Sequence, residues 1–81
     1  MSESKLVELD VRPILEAGGE PFEEIMAAVK SLEPSDVFIL HATFNPIPLL
    51  RVMERKGYNH NSEQAKKGHW IVRFWKDDPH D

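Results

Sequence analysis

Polar and apolar positions change their period several times along this chain, and each change marks an element. From Leu6 to Val11 they alternate, with Val7, Leu9 and Val11 on one face and Leu6, Glu8 and Asp10 on the other. A period of two predicts a half-buried strand, which Pro13 stops. Glu16–Glu20 contains Gly18 and Gly19 and reads as a flexible connection. Pro21 then opens a helix to about Leu32, in which Phe22, Ile25, Met26, Val29 and Leu32 recur at helical spacing. Glu23 and Glu24 in its first turn and Lys30 in its last suit the helix dipole. Glu33-Pro34-Ser35-Asp36 is a turn, because proline cannot continue the helix.

Val37–Ala42 predicts a buried strand. Asn45 and Pro46 predict the start of a second helix running to about Lys56, with Ile47, Leu50 and Met53 as its apolar stripe and Gly57 just past its end. Tyr58–Ala65 predicts a polar edge strand and Lys67-Gly68 a turn. His69–Lys76 is the strongest strand signal, rich in aromatic and branched residues. The predicted order is β-α-β-α-β-β. The first two strands, joined by a helix, are expected to be parallel with a right-handed crossover, and the last two to form a hairpin. Two helices cover one face of a four-stranded mixed sheet, so the fold class is α+β, a two-layer α/β sandwich.

Length adds that this is one domain: 81 residues, with 6–76 folded, 1–5 a disordered N-terminus and 77–81 an acidic tail. Hydrophobic residues, at 41%, are enough for a modest core without staples. There is no cysteine, which excludes disulfides, thiolate metal sites and thiol catalysis. No apolar run approaches a membrane span and no signal-peptide pattern opens the chain, so the expected location is cytoplasmic. Net charge is −4. The nearest basic groups are Arg51, Arg55 and Lys56, interrupted by Glu54, and Lys66-Lys67, flanked by Glu63. They read as solvated faces, and nucleic acid is not the expected partner.

In a small α/β domain a strand-to-helix turn is where a ligand docks. Here that turn contains Asn45-Pro46-Ile47-Pro48, and two prolines lack the N–H groups that would hold an anion. The Asn45 side chain is expected to cap the Ile47 N–H. Asp10 and Arg12 lie two apart and either anchor a ligand, pair with each other or cap a loop. Glu20, with Glu23 and Glu24, sits where a catalytic acid would be placed, but nothing in the sequence buries it. Ser31, Ser35 and Ser62 have no visible base. His41, His60, His69 and His80 share no metal-site spacing, although sheet pairing could join two of the first three. No metal site and no cofactor is expected; whether the His41/His60/His69 set ever binds a metal is left open. Met26 and Met53 read as core packing. On the last strand Trp70, Val72 and Phe74 form one face, and Ile71, Arg73 and Trp75 the other. The face with the charge is expected to point away from the helices. Trp and Arg together suit an interface, so Ile71, Arg73 and Trp75 form the expected partner surface, for another protein or a second copy of the chain.

Several short motifs, in this order, resemble the TusA-like (SirA-like) superfamily. They are Leu9-Asp10-Val11-Arg12, Asn45-Pro46-x-Pro48-Leu49, and Gly68-His69-Trp70-Ile71-Val72 running to Lys76. Leu9–Pro13 and Pro46–Leu49 are most similar to an uncharacterised, cysteine-less subgroup of unknown function. The superfamily's sulfur carriers use Cys-Pro-x-Pro at the start of the first helix. That motif falls here on Gly18-Gly19-Glu20-Pro21, where only the last proline matches and the preceding loop is about two residues longer. The subgroup's His-Asp-Pro is Phe44-Asn45-Pro46 here. Sulfur carriage is therefore not carried over. The resemblance implies a small non-enzymatic accessory domain that binds a protein, or a small ligand at the loop–helix edge. The alternatives are an altered transferase using Asp10, Arg12 and Glu20, and a nucleic-acid-binding domain, since a translation-factor domain shares the architecture. The sequence specifies no partner, pathway, ligand or oligomeric state.

Overall fold

The alternation after Lys5 builds strand β1 (Leu6–Asp10), and in the computed structural model, which describes residues 5–76, the chain then turns at once into a short helix α1 (Arg12–Glu16). Helix α2 (Phe22–Lys30), strand β2 (Val37–Ala42), helix α3 (Ile47–Arg55), and strands β3 (Tyr58–Lys66) and β4 (His69–Lys76) follow. The sheet order is β1-β2-β4-β3. β1 pairs parallel with β2, Leu9 opposite Leu40. β4 runs antiparallel to both neighbours, with Leu40 opposite Val72 and Phe38 opposite Phe74. The result is the expected mixed four-stranded sheet in an α/β sandwich. Residues 1–4 and the tail 77–81, with His80, lie outside the described residues.

One face of the sheet carries the core. Phe38, Leu40 and Ala42 of β2 and Val72 and Phe74 of β4 are buried under Ile25 and Val29 of α2 and Leu49, Leu50 and Met53 of α3. Phe38 and Phe74 stack with ring centres 5.9 Å apart. Alternation puts the other half of each strand on the opposite face: Leu6, Glu8 and Asp10, then Val37, Ile39 and His41, then His69, Ile71, Arg73 and Trp75.

Three expectations are corrected. The order is β-α-α-β-α-β-β, because the connection expected to be flexible contains α1. Pro13 stops β1 but suits a helix start, and α1 ends in a Schellman turn: the Gly18 N–H donates to Leu15 O at 3.0 Å and the Gly19 N–H to Ile14 O at 2.8 Å. Gly18 takes φ +82, a backbone region glycine enters without strain. Second, Phe22 and Ile47, assigned to buried stripes, are 46% and 45% exposed. Each is the first residue of its helix. Third, the Asn45 side chain caps nothing. Pro46 is the N-cap residue of α3, and the Ile47 N–H donates to the backbone carbonyl of Asn45 at 2.9 Å.

Candidate functional site

α2 and α3 both run antiparallel to β1 and β2, so their starts lie at one end of the sandwich. Between them is an open groove of about 320 Å³. Leu15 and Gly19 line it from the end of α1, Pro21, Phe22 and Ile25 from α2, and Phe44, Pro46, Pro48 and Leu49 from the β2–α3 turn. Glu20 is its one charged lining residue. Phe44 is 50% exposed; with Phe22 and Ile47 it makes up three of the four large apolar side chains most open to solvent among the described residues. Prolines at 21, 46 and 48 stiffen both walls and leave few free N–H groups, so the groove is apolar and poor in donors. Asn45 stands beside it with its Oδ1 buried and without a hydrogen-bond partner.

Asp10 and Arg12 close on each other. Asp10 Oδ1 accepts the Arg12 backbone N–H and Nε–H, both at 3.0 Å, and Oδ2 accepts from the guanidinium at 2.8 Å. The guanidinium hydrogen bond holds the Asp10 carboxyl down at about 2, against a smaller opposing effect of burial. Among the described residues no hydrogen bond or ion pair joins Glu20 to this pair.

The open sheet face carries a chain of hydrogen bonds. Glu8 Oε2 lies 2.8 Å from His41 Nε2, and His41 Nδ1 lies 2.9 Å from His69 Nε2. A carboxylate only accepts, so His41 Nε2–H donates to Glu8. With both imidazoles neutral, His69 Nε2–H donates to His41 Nδ1 and the His69 Nδ1 lone pair is left free. Burial first, then the positive charge of Arg12, holds the His69 pKa below the ordinary histidine value. Strand pairing thus joins two of the three histidines that had no common spacing. The third, His60, bonds Glu54 at 2.9 Å. Among the described residues no three His, Asp or Glu side chains are arranged to hold a metal ion. On the same face Arg73 pairs with Glu63 at 3.1 Å, and Ile71 and Trp75 are half-buried.

Residues 8–76 match the family described as an uncharacterized conserved protein, DUF2249. The chain belongs to that family. No curated protein and no solved structure matches it. In this DUF2249 domain the sequence read Asp10 and Arg12 as neighbours on the first strand and Glu20 and Asn45 as helix-start residues; the structure has Asp10 at the end of β1 and Arg12 at the start of α1. The sequence did not reveal that Glu20 and Asn45 flank the groove while Asp10 and Arg12 are engaged with each other. The Glu8–His41–His69 chain was missed. Strand parity puts all three on the face away from the helices, but only the β1–β2–β4 register makes them neighbours.

Proposed function

We propose that this chain is a non-enzymatic accessory domain of TusA-like type that binds a protein partner, with the groove between the starts of α2 and α3 as its docking edge. The observation that carries the reading is Phe22 and Phe44 standing exposed on the lining of one apolar groove. An isolated domain gains nothing from holding two phenylalanine rings in water, whereas an interface anchor does. The rim is acidic: Glu20, Glu23 and Glu24 are exposed, and no ion pair among the described residues engages them. The complementary partner is a peptide segment with an apolar anchor and flanking Lys or Arg. Catalysis has less support, since Asp10 is occupied by Arg12 and the groove holds one exposed carboxylate.

The test starts with partners captured from a native extract and identified by mass spectrometry, then titrated against purified domain. Phe44→Ala is expected to weaken binding by about 2 kcal/mol, a hot-spot effect, with the melting curve unchanged. Glu20→Gln with Glu23→Gln is expected to slow association and flatten its salt dependence. Binding that survives Phe22→Ala with Phe44→Ala overturns the assignment of the groove.

A further inference from the structure

At the opposite end of the sandwich, where α2 and α3 finish, lies a second cleft of about 530 Å³. Val29, Leu32 and Tyr58 form apolar floor, and the charged lining residues are Lys30, Lys56 and Lys76. Each lysine comes from a different element: the last residue of α2, the residue that ends α3 and the last residue of β4. Among the described residues no carboxylate lines the cleft and no ion pair includes any of the three lysines. Three cations around one apolar cleft are conspicuous in a chain of net charge −4.

Lysines near helix C-termini often serve only the dipole. Here five of the last-turn carbonyls already have partners. The Ser31 N–H and Oγ–H donate to Ala28 O and the Leu32 N–H to Val29 O. The Lys56 N–H donates to Val52 O and Met53 O, and the Gly57 N–H to Glu54 O. The ammonium groups are not needed as caps, and Lys76 is on no helix. Lys76 Nζ instead sits 4.9 Å from the centre of the Tyr58 ring, which holds it above the floor.

From this we infer that the cleft binds an amphipathic organic anion: a carboxylate whose apolar body lies on Val29, Leu32 and Tyr58 while its head group meets the three lysines. The volume falls in the range of small-molecule sites, about 300–1,000 Å³. An anion also complements three ammonium groups that make no ion pair among the described residues, which an uncharged ligand does not.

The experiment is an amide chemical-shift titration of the full chain with decanoate, kept below its micelle concentration. Decyltrimethylammonium has the same apolar body and the opposite charge; inorganic phosphate has charge without the body. Decanoate is expected to give saturable shifts at Val29, Lys30, Tyr58 and Lys76. The cationic twin is expected to give none there, and phosphate only weak, unsaturated ones. Lys30→Gln with Lys76→Gln is expected to lower decanoate affinity about tenfold, and the same spectra report whether the variant is folded. Asp77 and Asp78 follow Lys76 in the chain, so Asp77→Asn with Asp78→Asn is expected to leave affinity equal or higher. Equal binding of decanoate and its cationic twin, shifts confined to Phe22 and Phe44, or affinity indifferent to the lysines would each overturn the inference.

Discussion

Asp10 shows how much one neighbour decides at the scale of a residue. Its carboxyl is held at about 2, chiefly by the Arg12 guanidinium. A carboxyl lowered in the folded state stabilises the fold above its ordinary value of 3.8, and that contribution is lost as pH falls from there through about 2. Carboxyl NMR is expected to place the Asp10 midpoint near 2, and Arg12→Ala to return it toward the ordinary range. His69 follows the same sign for a different group. Its pKa is lowered, so the unfolded chain binds the proton more readily, and the stability it contributes is full above 6.5 and declines as pH drops below that value. Imidazole proton NMR is expected to show His69 titrating below the ordinary histidine range. Arg12→Ala should raise its midpoint only in part, because burial is the larger cause. Asn45 reads differently in sequence and in structure. Its residue type predicted a side-chain cap, but its Oδ1 is buried without a partner. Asn45→Ala is therefore expected to cost less than the ~1 kcal/mol typical of a lost cap, a difference that denaturant melts resolve. The composition of a turn tells which residues are able to cap. It does not tell whether the backbone carbonyl takes the N–H first.

At the scale of elements, what was legible follows from periodicity. The four strands and both long helices stand within two residues of their expected bounds, because Ile25/Val29 and Leu50/Met53 repeat at helical spacing and β4 alternates. α1 was not legible. Five residues are too few for a period, none of them is fully buried, and a Gly-Gly pair after it reads as loop. Its end nevertheless has a strict requirement. Gly18 needs φ +82, and a Cβ on Gly19 would meet the Ile14 side chain at 3.0 Å. Gly18→Ala is expected to destabilise by about 1–2 kcal/mol, the left-handed penalty for an L-residue, measured by thermal melts. On the proposed TusA-like reading, the carrier cysteine's position falls on this same Gly18. A cysteine introduced there enters a strained backbone at the C-terminal end of a helix, where a thiolate is not favoured by the dipole. Gly18→Cys is accordingly expected to lose stability and to gain no persulfide transfer when incubated with a cysteine desulfurase, as read by intact mass.

For the whole molecule, the question is what becomes of the sheet face that no helix covers. Its apolar residues are broken up by polar bridges: Arg73–Glu63 toward one edge and Glu8–His41–His69 toward the other. Leu6, 72% exposed, remains at the free edge of β1, and Trp75 is half-buried where β4 meets β3, opposite Asn59. This arrangement tolerates water yet keeps a Trp and an Arg two residues apart on a rigid central strand, a combination that concentrates binding energy when a partner excludes solvent. The face is our second proposed contact surface, for a partner protein or a second copy of the chain. Core substitutions separate folding from association here: Phe74→Ala, on the opposite side of the same strand, is expected to cost about 3–5 kcal/mol of stability. Trp75→Ala should leave the melting curve nearly unchanged while weakening association by about 2 kcal/mol if the ring is an anchor. Sedimentation equilibrium of wild type and variant, with and without a captured partner, measures this. A Trp75→Ala chain that associates as the wild type does would leave the apolar groove between α2 and α3 as the one proposed protein-docking surface.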